Sequence, residues 1–175
     1  MKEIIISDFK IPFGELSLGS FEGKLCLCDW KYRKMRKAID KRISSGLDAE
    51  YTPGECDVIA NLKKQFGEYF QSKRRDFCIP LRFVGTDFQV LVWNQLLQIP
   101  FGEKISYLEL SELLGNQKAI RAVATANGAN ALSIVVPCHR VVGTNGKLVG
   151  YAGGLNAKKG LLSLEGTIRQ QSFAF

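Results

Sequence analysis

The chain has 175 residues, 46% hydrophobic and 23% charged, which fits one domain, or one large and one small lobe, around a buried core. No apolar stretch is long enough to cross a bilayer, and the first eight residues carry only an apolar triplet and no cleavage site, so neither a membrane span nor a secretory leader is read. A formal net charge of +7 leaves a polyanion partner such as nucleic acid and simple solubility both open. Five cysteines, an odd number, without a leader argue for reduced thiols and a cytoplasmic setting.

The first part reads as short strands separated by Gly14, Gly19 and Gly23, with Leu16-Ser17-Leu18 and the stretch 24–30 alternating like half-buried strands. Cys26 and Cys28 lie two apart, so regular alternation puts them on one face. No Cys-x-x-Cys pair and no second histidine completes a metal site there, and the two are read as buried apolar thiols. Residues 31–42 form a basic run, read as a solvated helix face in preference to a phosphate contact. Pro53 opens a helix from 55 to 70 with Val58, Leu62, Phe66 and Phe70 on its apolar face. Ile79-Pro80-Leu81-Arg82-Phe83 reads as an edge strand and a boundary, dividing the chain into lobes 1–83 and 84–175.

The second part is more helical. Asp87 is expected to cap a helix from 88 to 98 that Pro100 and Gly102 end. Ser106-x-x-Glu109 is a capping box, so a short helix starts after Ser106 and stops at Gly115, and another runs from 117 to 127. Two short helices around a glycine turn match a helix-turn-helix, a weak signal by itself. The run Ile134-Val135-Val136-Pro137-Cys138-His139-Arg140-Val141-Val142 places a thiol beside the only histidine. A thiol is a strong nucleophile only as a thiolate, and an imidazole commonly takes its proton. A hairpin turn at Gly143-Thr144-Asn145-Gly146, a glycine-rich loop at 150–155 and a last helix from 157 to 165 follow.

Six ordered segments together resemble the O6-alkylguanine-DNA alkyltransferases, also called methylated-DNA–protein-cysteine methyltransferases. They are Phe88-Gln89-x-x-Val92-Trp93-x-x-Leu96, Ile99-Pro100-x-Gly102, Ser106-Tyr107, Arg121-Ala122-Val123 with Asn130, Pro137-Cys138-His139-Arg140-Val141, and Gly150-Tyr151-Ala152-Gly153-Gly154-Leu155 with Lys158 and Glu165. The first 80 residues match only in general pattern. Ala131 departs from the proline common in that family after the asparagine, which removes a rigid turn element. The resemblance implies an α/β (α+β) fold, with an N-terminal ribonuclease-H-like lobe and a C-terminal winged helix-turn-helix domain.

It also implies roles. Cys138 is the acceptor of an alkyl group taken from guanine O6, in an irreversible single-turnover reaction without cofactor or metal. His139 takes the thiol proton through a bridging water, and Glu165 orients the imidazole. Asn130 shapes the turn near the thiol. Tyr107 donates to the leaving guanine and crowds the DNA backbone. The backbone carbonyls of Cys138 and Val141 accept from the exocyclic amine, Tyr151 and Ala152 line the pocket, and Lys158 braces its loop. Arg121 fills the space of a flipped base, while Ala122, Ala124, Thr125 and Asn127 lie along the minor groove. The implied partner is duplex DNA carrying O6-alkylguanine, or O4-methylthymine, bound by a monomer with little sequence preference. S-alkylation is expected to destabilise the packed site. A thiol hydrolase would use the same cysteine with an oxyanion hole and multiple turnovers, and a lesion-binding module would not need Cys138.

Overall fold

The computed structural model describes residues 1–166; the remaining residues of the expected second lobe, 167–175, lie outside the described part. Three strands open the chain: β1 (Lys2–Ile11), β2 (Gly14–Phe21) and β3 (Lys24–Trp30), each antiparallel to the one before. The turn from β2 to β3 places Glu22 at φ 48° and Gly23 at φ 76°, the left-handed pair a tight hairpin demands. Helix α1 (Arg36–Leu47) then returns the chain to β4 (Ala49–Pro53), which pairs in parallel with β1, giving the order β3-β2-β1-β4. Ile39, Ile43 and Leu47 of α1 bury one face against Ile4, Phe21, Cys26, Leu27 and Ala49.

The other face of the sheet supports everything that follows. Helix α2 (Asp57–Phe70) buries Ile59, Leu62, Phe66 and Tyr69, so its apolar stripe is turned by one residue from the expected Val58 and Phe70, which are only partly buried. Pro53 belongs to β4 and does not open the helix. Beyond an irregular stretch come α3 (Asp87–Leu96), β5 (Ile105–Ser106), α4 (Tyr107–Leu113), α5 (Ile120–Gly128), β6 (Val141–Val142) and α6 (Leu155–Leu164). Val92, Trp93, Leu96, Val123 and Leu161 from these elements share one core with Leu16, Leu18, Leu25 and Trp30 of the sheet. The core is therefore continuous across the expected boundary near residue 84. No described helix is long and apolar enough to cross a membrane.

Several local expectations need correction. A bulge in β3 pairs Ser20 with Leu25 but Gly19 with Leu27, leaving Cys26 as the extra residue. Alternation breaks there, so Cys26 and Cys28 fall in separate core clusters instead of sharing a face. Thr86, not Asp87, caps α3: its hydroxyl accepts from the Gln89 amide while the Gln89 side chain accepts from the Thr86 amide. The segment around Leu81 makes one bridge to Leu25 and no longer strand, since Pro80 has no amide to extend the ladder. The helix expected from 117 begins as a 3-10 turn at Gln117–Ala119 and becomes α-helical at Ile120. Gly143 to Gly146 does not join a β-hairpin among the described residues: β6 pairs in parallel with β5, although Asn145 and Gly146 do adopt left-handed φ. Helix α6 starts at Leu155, two residues early, and Glu165 is its C-cap.

Candidate active site

The loop carrying Cys138 is built under strain. Ile134, a β-branched residue, has φ 70°, a region that ordinarily costs such a side chain about 1–3 kcal/mol. Asn130 spans the strained segment: its Oδ1 accepts from the Leu132 amide at 2.9 Å and its Nδ2 donates to the Val136 carbonyl at 2.9 Å. The segment is also stitched to β3, with the Cys28 amide donating to Ala131 O at 2.8 Å and the Ser133 amide to Cys28 O at 2.7 Å. Ala131 itself is buried against the α1 side of the sheet, with its carbonyl in this backbone pairing. Pro137 then leads into a 3-10 turn, Cys138–Arg140, whose three side chains are all buried. Cys138 and His139 accordingly sit in a turn and not in an extended strand.

Behind the thiol lies a polar cluster sealed from solvent. Glu165 is 4% exposed. Its Oε1 accepts from Tyr69 Oη at 2.7 Å, His139 Nε2 at 2.9 Å and Arg140 Nη2 at 2.9 Å, and its Oε2 from Arg140 Nε at 2.9 Å. Arg140 Nη1 donates to Ile99 O at 2.7 Å. Burial by itself would raise the Glu165 carboxyl, but the hydrogen bonds from His139 and Arg140 outweigh it and hold the pKa at about 2. Burial also holds the His139 imidazole below its ordinary value, against the pull of Glu165, and the Arg140 and Lys158 charges act in the same direction as burial. Neutral imidazole beside ionised carboxylate is therefore the state near pH 7. The second ring nitrogen, Nδ1, is buried without a hydrogen-bond partner among the described residues.

In front of the thiol is a pocket of about 710 Å³, within the usual range for small-ligand sites. Of the residues singled out in the sequence, Tyr107, Arg121, Ala124, Asn127, Asn130, Cys138, Tyr151 and Ala152 line it. Ala122 and Thr125 lie on the exposed side of α5 outside that lining, while Val141 is wholly buried in β6. Lys158 is buried too; its Nζ donates to Val149 O at 3.1 Å and Gly150 O at 3.2 Å, and burial pulls its pKa down to about 8. Gly154 takes φ 87°, and a Cβ on Gly153 would overlap the Trp30 indole, so the glycine lets the end of β3 approach this loop. Burial raises the Cys138 thiol, with the Asn130 hydrogen bond and the Lys158 charge opposing it. At rest the sulfur keeps its proton, and a base must remove it before it can attack. No group of three or more His, Cys, Asp or Glu side chains is arranged to hold a metal ion among the described residues.

Three contributors were not among the residues singled out as a site. Arg140 stands in the segment Pro137-Cys138-His139-Arg140-Val141, where the sequence assigns it no role of its own. Tyr69 lies 96 residues from Glu165, and nothing in its helical spacing signals a polar role. Arg33, in the basic run, donates to Asn130 O at 3.2 Å and Gly128 O at 2.6 Å, contrary to the reading of that run as a solvated face.

The chain is similar to several known proteins. Residues 87–167 match the family described as 6-O-methylguanine DNA methyltransferase, DNA binding domain. A methylated-DNA–protein-cysteine methyltransferase of Methanosarcina acetivorans is 50% identical over 104 residues, 59% of this chain and 67% of that protein. A protein of the same name from Mycobacterium leprae is 45% identical over 125 residues, 68% of this chain and 76% of that one. The mixed α/β fold is similar to that of Mycobacterium tuberculosis OGT in complex with DNA, with TM-score 0.77 and 36% identity over 93% of this chain and 92% of that one.

The Glu165 cluster makes stability depend on acid. A carboxyl whose folded pKa, about 2, lies below its unfolded value of roughly 4.3 stabilises the fold above that value, and the contribution is lost as pH falls toward 2. Glu165→Gln leaves the Arg140 charge buried without its partner and is expected to cost about 3–5 kcal/mol at pH 7. Urea titrations should show that deficit shrinking below about pH 4, where the carboxyl of the unfolded wild-type chain takes up its proton while the folded one stays ionised. Equal stability of the two proteins at pH 7 would contradict the assignment.

Proposed function

The chain belongs to the methylated-DNA–protein-cysteine methyltransferase family, and from that premise we propose that it repairs DNA by moving an alkyl group from O6 of guanine onto its own Cys138. The observation that carries this reading is a buried thiol at the floor of an open pocket, with a single neutral histidine and an ionised glutamate packed behind it. The thiol proton passes through one water to His139 Nδ1, and Glu165 stabilises the imidazolium that forms. The sulfur attacks the alkyl carbon. The carbon–oxygen bond breaks with its electrons going to O6, the leaving guanine takes a proton from the Tyr107 hydroxyl and departs neutral, and the proton held by the His139 imidazolium returns through solvent to the tyrosine oxygen, so that both side chains end as they began. Cys138 and Val141 carbonyls hold the exocyclic amine, and Tyr151 and Ala152 form the wall of the pocket.

A base stacked in duplex DNA cannot reach this floor, so the nucleotide is flipped, which requires a few kcal/mol. Arg121 occupies the gap that it leaves, and Ala122, Ala124, Thr125 and Asn127 follow the minor groove, whose shallow edge suits small side chains and gives little sequence preference. In this reading residues 84–175 form a winged helix-turn-helix domain and residues 1–83 a ribonuclease-H-like lobe, acting as a monomer in the cytoplasm. The order of the four-stranded sheet, with β4 parallel to β1, supports the second assignment. O4-methylthymine is a second substrate. The thioether product is stable and the reaction ends after one turnover.

Intact-protein mass spectrometry after incubation with an O6-methylguanine duplex tests the proposal, with peptide mapping and a Cys138→Ala control. The expected result is one added methyl group on Cys138, saturating at one per molecule and absent from the control. DNA bound with no mass change would make the protein a lesion-binding module, and repaired DNA with unmodified protein would point to a turning-over thiol enzyme. The methylated protein is expected to melt below the unmodified one, because the added methyl group overpacks a site that typically resists insertion by about 1–3 kcal/mol; coincident melting curves would contradict that.

A further inference from the structure

The pocket over Cys138 has a wall that the helix-turn-helix does not supply. Arg33, Lys34 and Met35, from the segment between β3 and α1, line it together with Ile120 and Arg121 of α5. That segment is fixed at the rim by its inward-facing residue. Arg33 forms an ion pair with the buried Asp29 at 3.1 Å and donates to the carbonyls of Gly128 and Asn130. Arg42 donates to the intervening Ala129 carbonyl at 2.9 Å. Three successive carbonyls at the end of α5 are thus held by two guanidiniums of the first lobe, and the residues beside Arg33 cannot swing away from the pocket without breaking these bonds.

The cations of the run divide into two sets. Lys31 pairs with Asp8 at 2.8 Å and Arg36 with Asp40 at 2.7 Å. Lys34 is exposed and has no acidic partner among the described residues, and no acidic residue stands in the first turn of α1 behind it. Met35, 60% exposed, places an unbranched apolar side chain beside that ammonium at the same rim. A fixed, uncompensated cation next to an exposed apolar contact is suited to a sugar-phosphate backbone, whose anionic oxygens alternate with apolar sugar faces.

We infer that the segment 33–35 of the first lobe is a second DNA-contacting wall, with Lys34 binding a phosphate of the strand whose nucleotide enters the pocket. The inference rests on the DNA-repair reading above. A flipped nucleotide remains tied to its strand, so its flanking phosphates must pass the pocket rim, and Lys34 is the uncompensated charge that the first lobe presents there. The first lobe then contributes directly to affinity, independent of sequence, as well as supporting the fold.

The test uses the full chain carrying Cys138→Ala, so that a duplex with one O6-methylguanine is bound but not consumed. Affinity is measured by fluorescence anisotropy across a series of salt concentrations for Lys34→Glu, Lys34→Gln, Arg121→Ala and Lys10→Glu. Lys10 is exposed and does not line the pocket, so it controls for the change in overall charge. Loss of one phosphate contact should lower the slope of log affinity against log salt by about one and weaken binding roughly fivefold at about 0.15 M salt, with Lys34→Gln weakened less than Lys34→Glu. Lys34→Glu matching Lys10→Glu in both slope and affinity, while Arg121→Ala weakens binding, would overturn the inference alone. Salt-independent or absent binding by the Cys138→Ala parent would overturn the DNA-repair reading on which it stands.

Discussion

One buried carboxylate organises this molecule. Glu165 is closed off from water and would be untenable there alone, since an isolated buried charge costs far more than the fold has to spare. Four donors make it stable, and they come from distant parts of the chain: Tyr69 from α2 of the first lobe, and His139 and Arg140 from the turn that also carries Cys138. Arginine suits this position because its planar fork reaches both carboxylate oxygens and still leaves a third nitrogen for the Ile99 carbonyl. The same contacts that satisfy the carboxylate fix the histidine ring. With Tyr69 and Arg140 donating and the carboxylate accepting, Nε2 must carry a hydrogen, and Nδ1 is left with a lone pair, which the proposed reaction uses as its base.

The thiol is positioned by a second, mostly backbone device. Ile134 bends the chain through an unfavourable conformation, and Asn130 bridges the bend from both sides. The strain is tolerable because the flanking residues bond to the edge of β3 and the preceding helix end is gripped by Arg33 and Arg42. Both devices draw on the residues before 84, through Tyr69, Arg33, Arg42 and β3, which are thus built into the geometry around Cys138 and Glu165.

What the sequence revealed divides along the same line. Local chemistry was legible. The capping box at Ser106 and Glu109, the turn at Gly23 and the helices around Trp93 and Leu161 follow from short-range rules, whereas Gly19, read as a break between strands, lies inside β2 at the bulge. Contacts between residues far apart in the chain were not. Tyr69 looked like another core aromatic because helical spacing reports which face is buried, not whether a hydroxyl on that face meets a carboxylate. Arg33 and Arg42 looked solvated because charge runs usually are. The bulge at Cys26 was invisible because alternation is inferred from side-chain type, and leucine and cysteine are both at home on either face of a sheet buried on both sides.

The chain's single histidine allows the central claim to be read without ambiguity. Nitrogen NMR of protein labelled only at histidine reports which ring nitrogen holds the proton near pH 7. The account predicts a neutral ring protonated at Nε2, with Nδ1 bare. A ring protonated at Nδ1, or an imidazolium already present at rest, would leave no base facing the thiol and would contradict it.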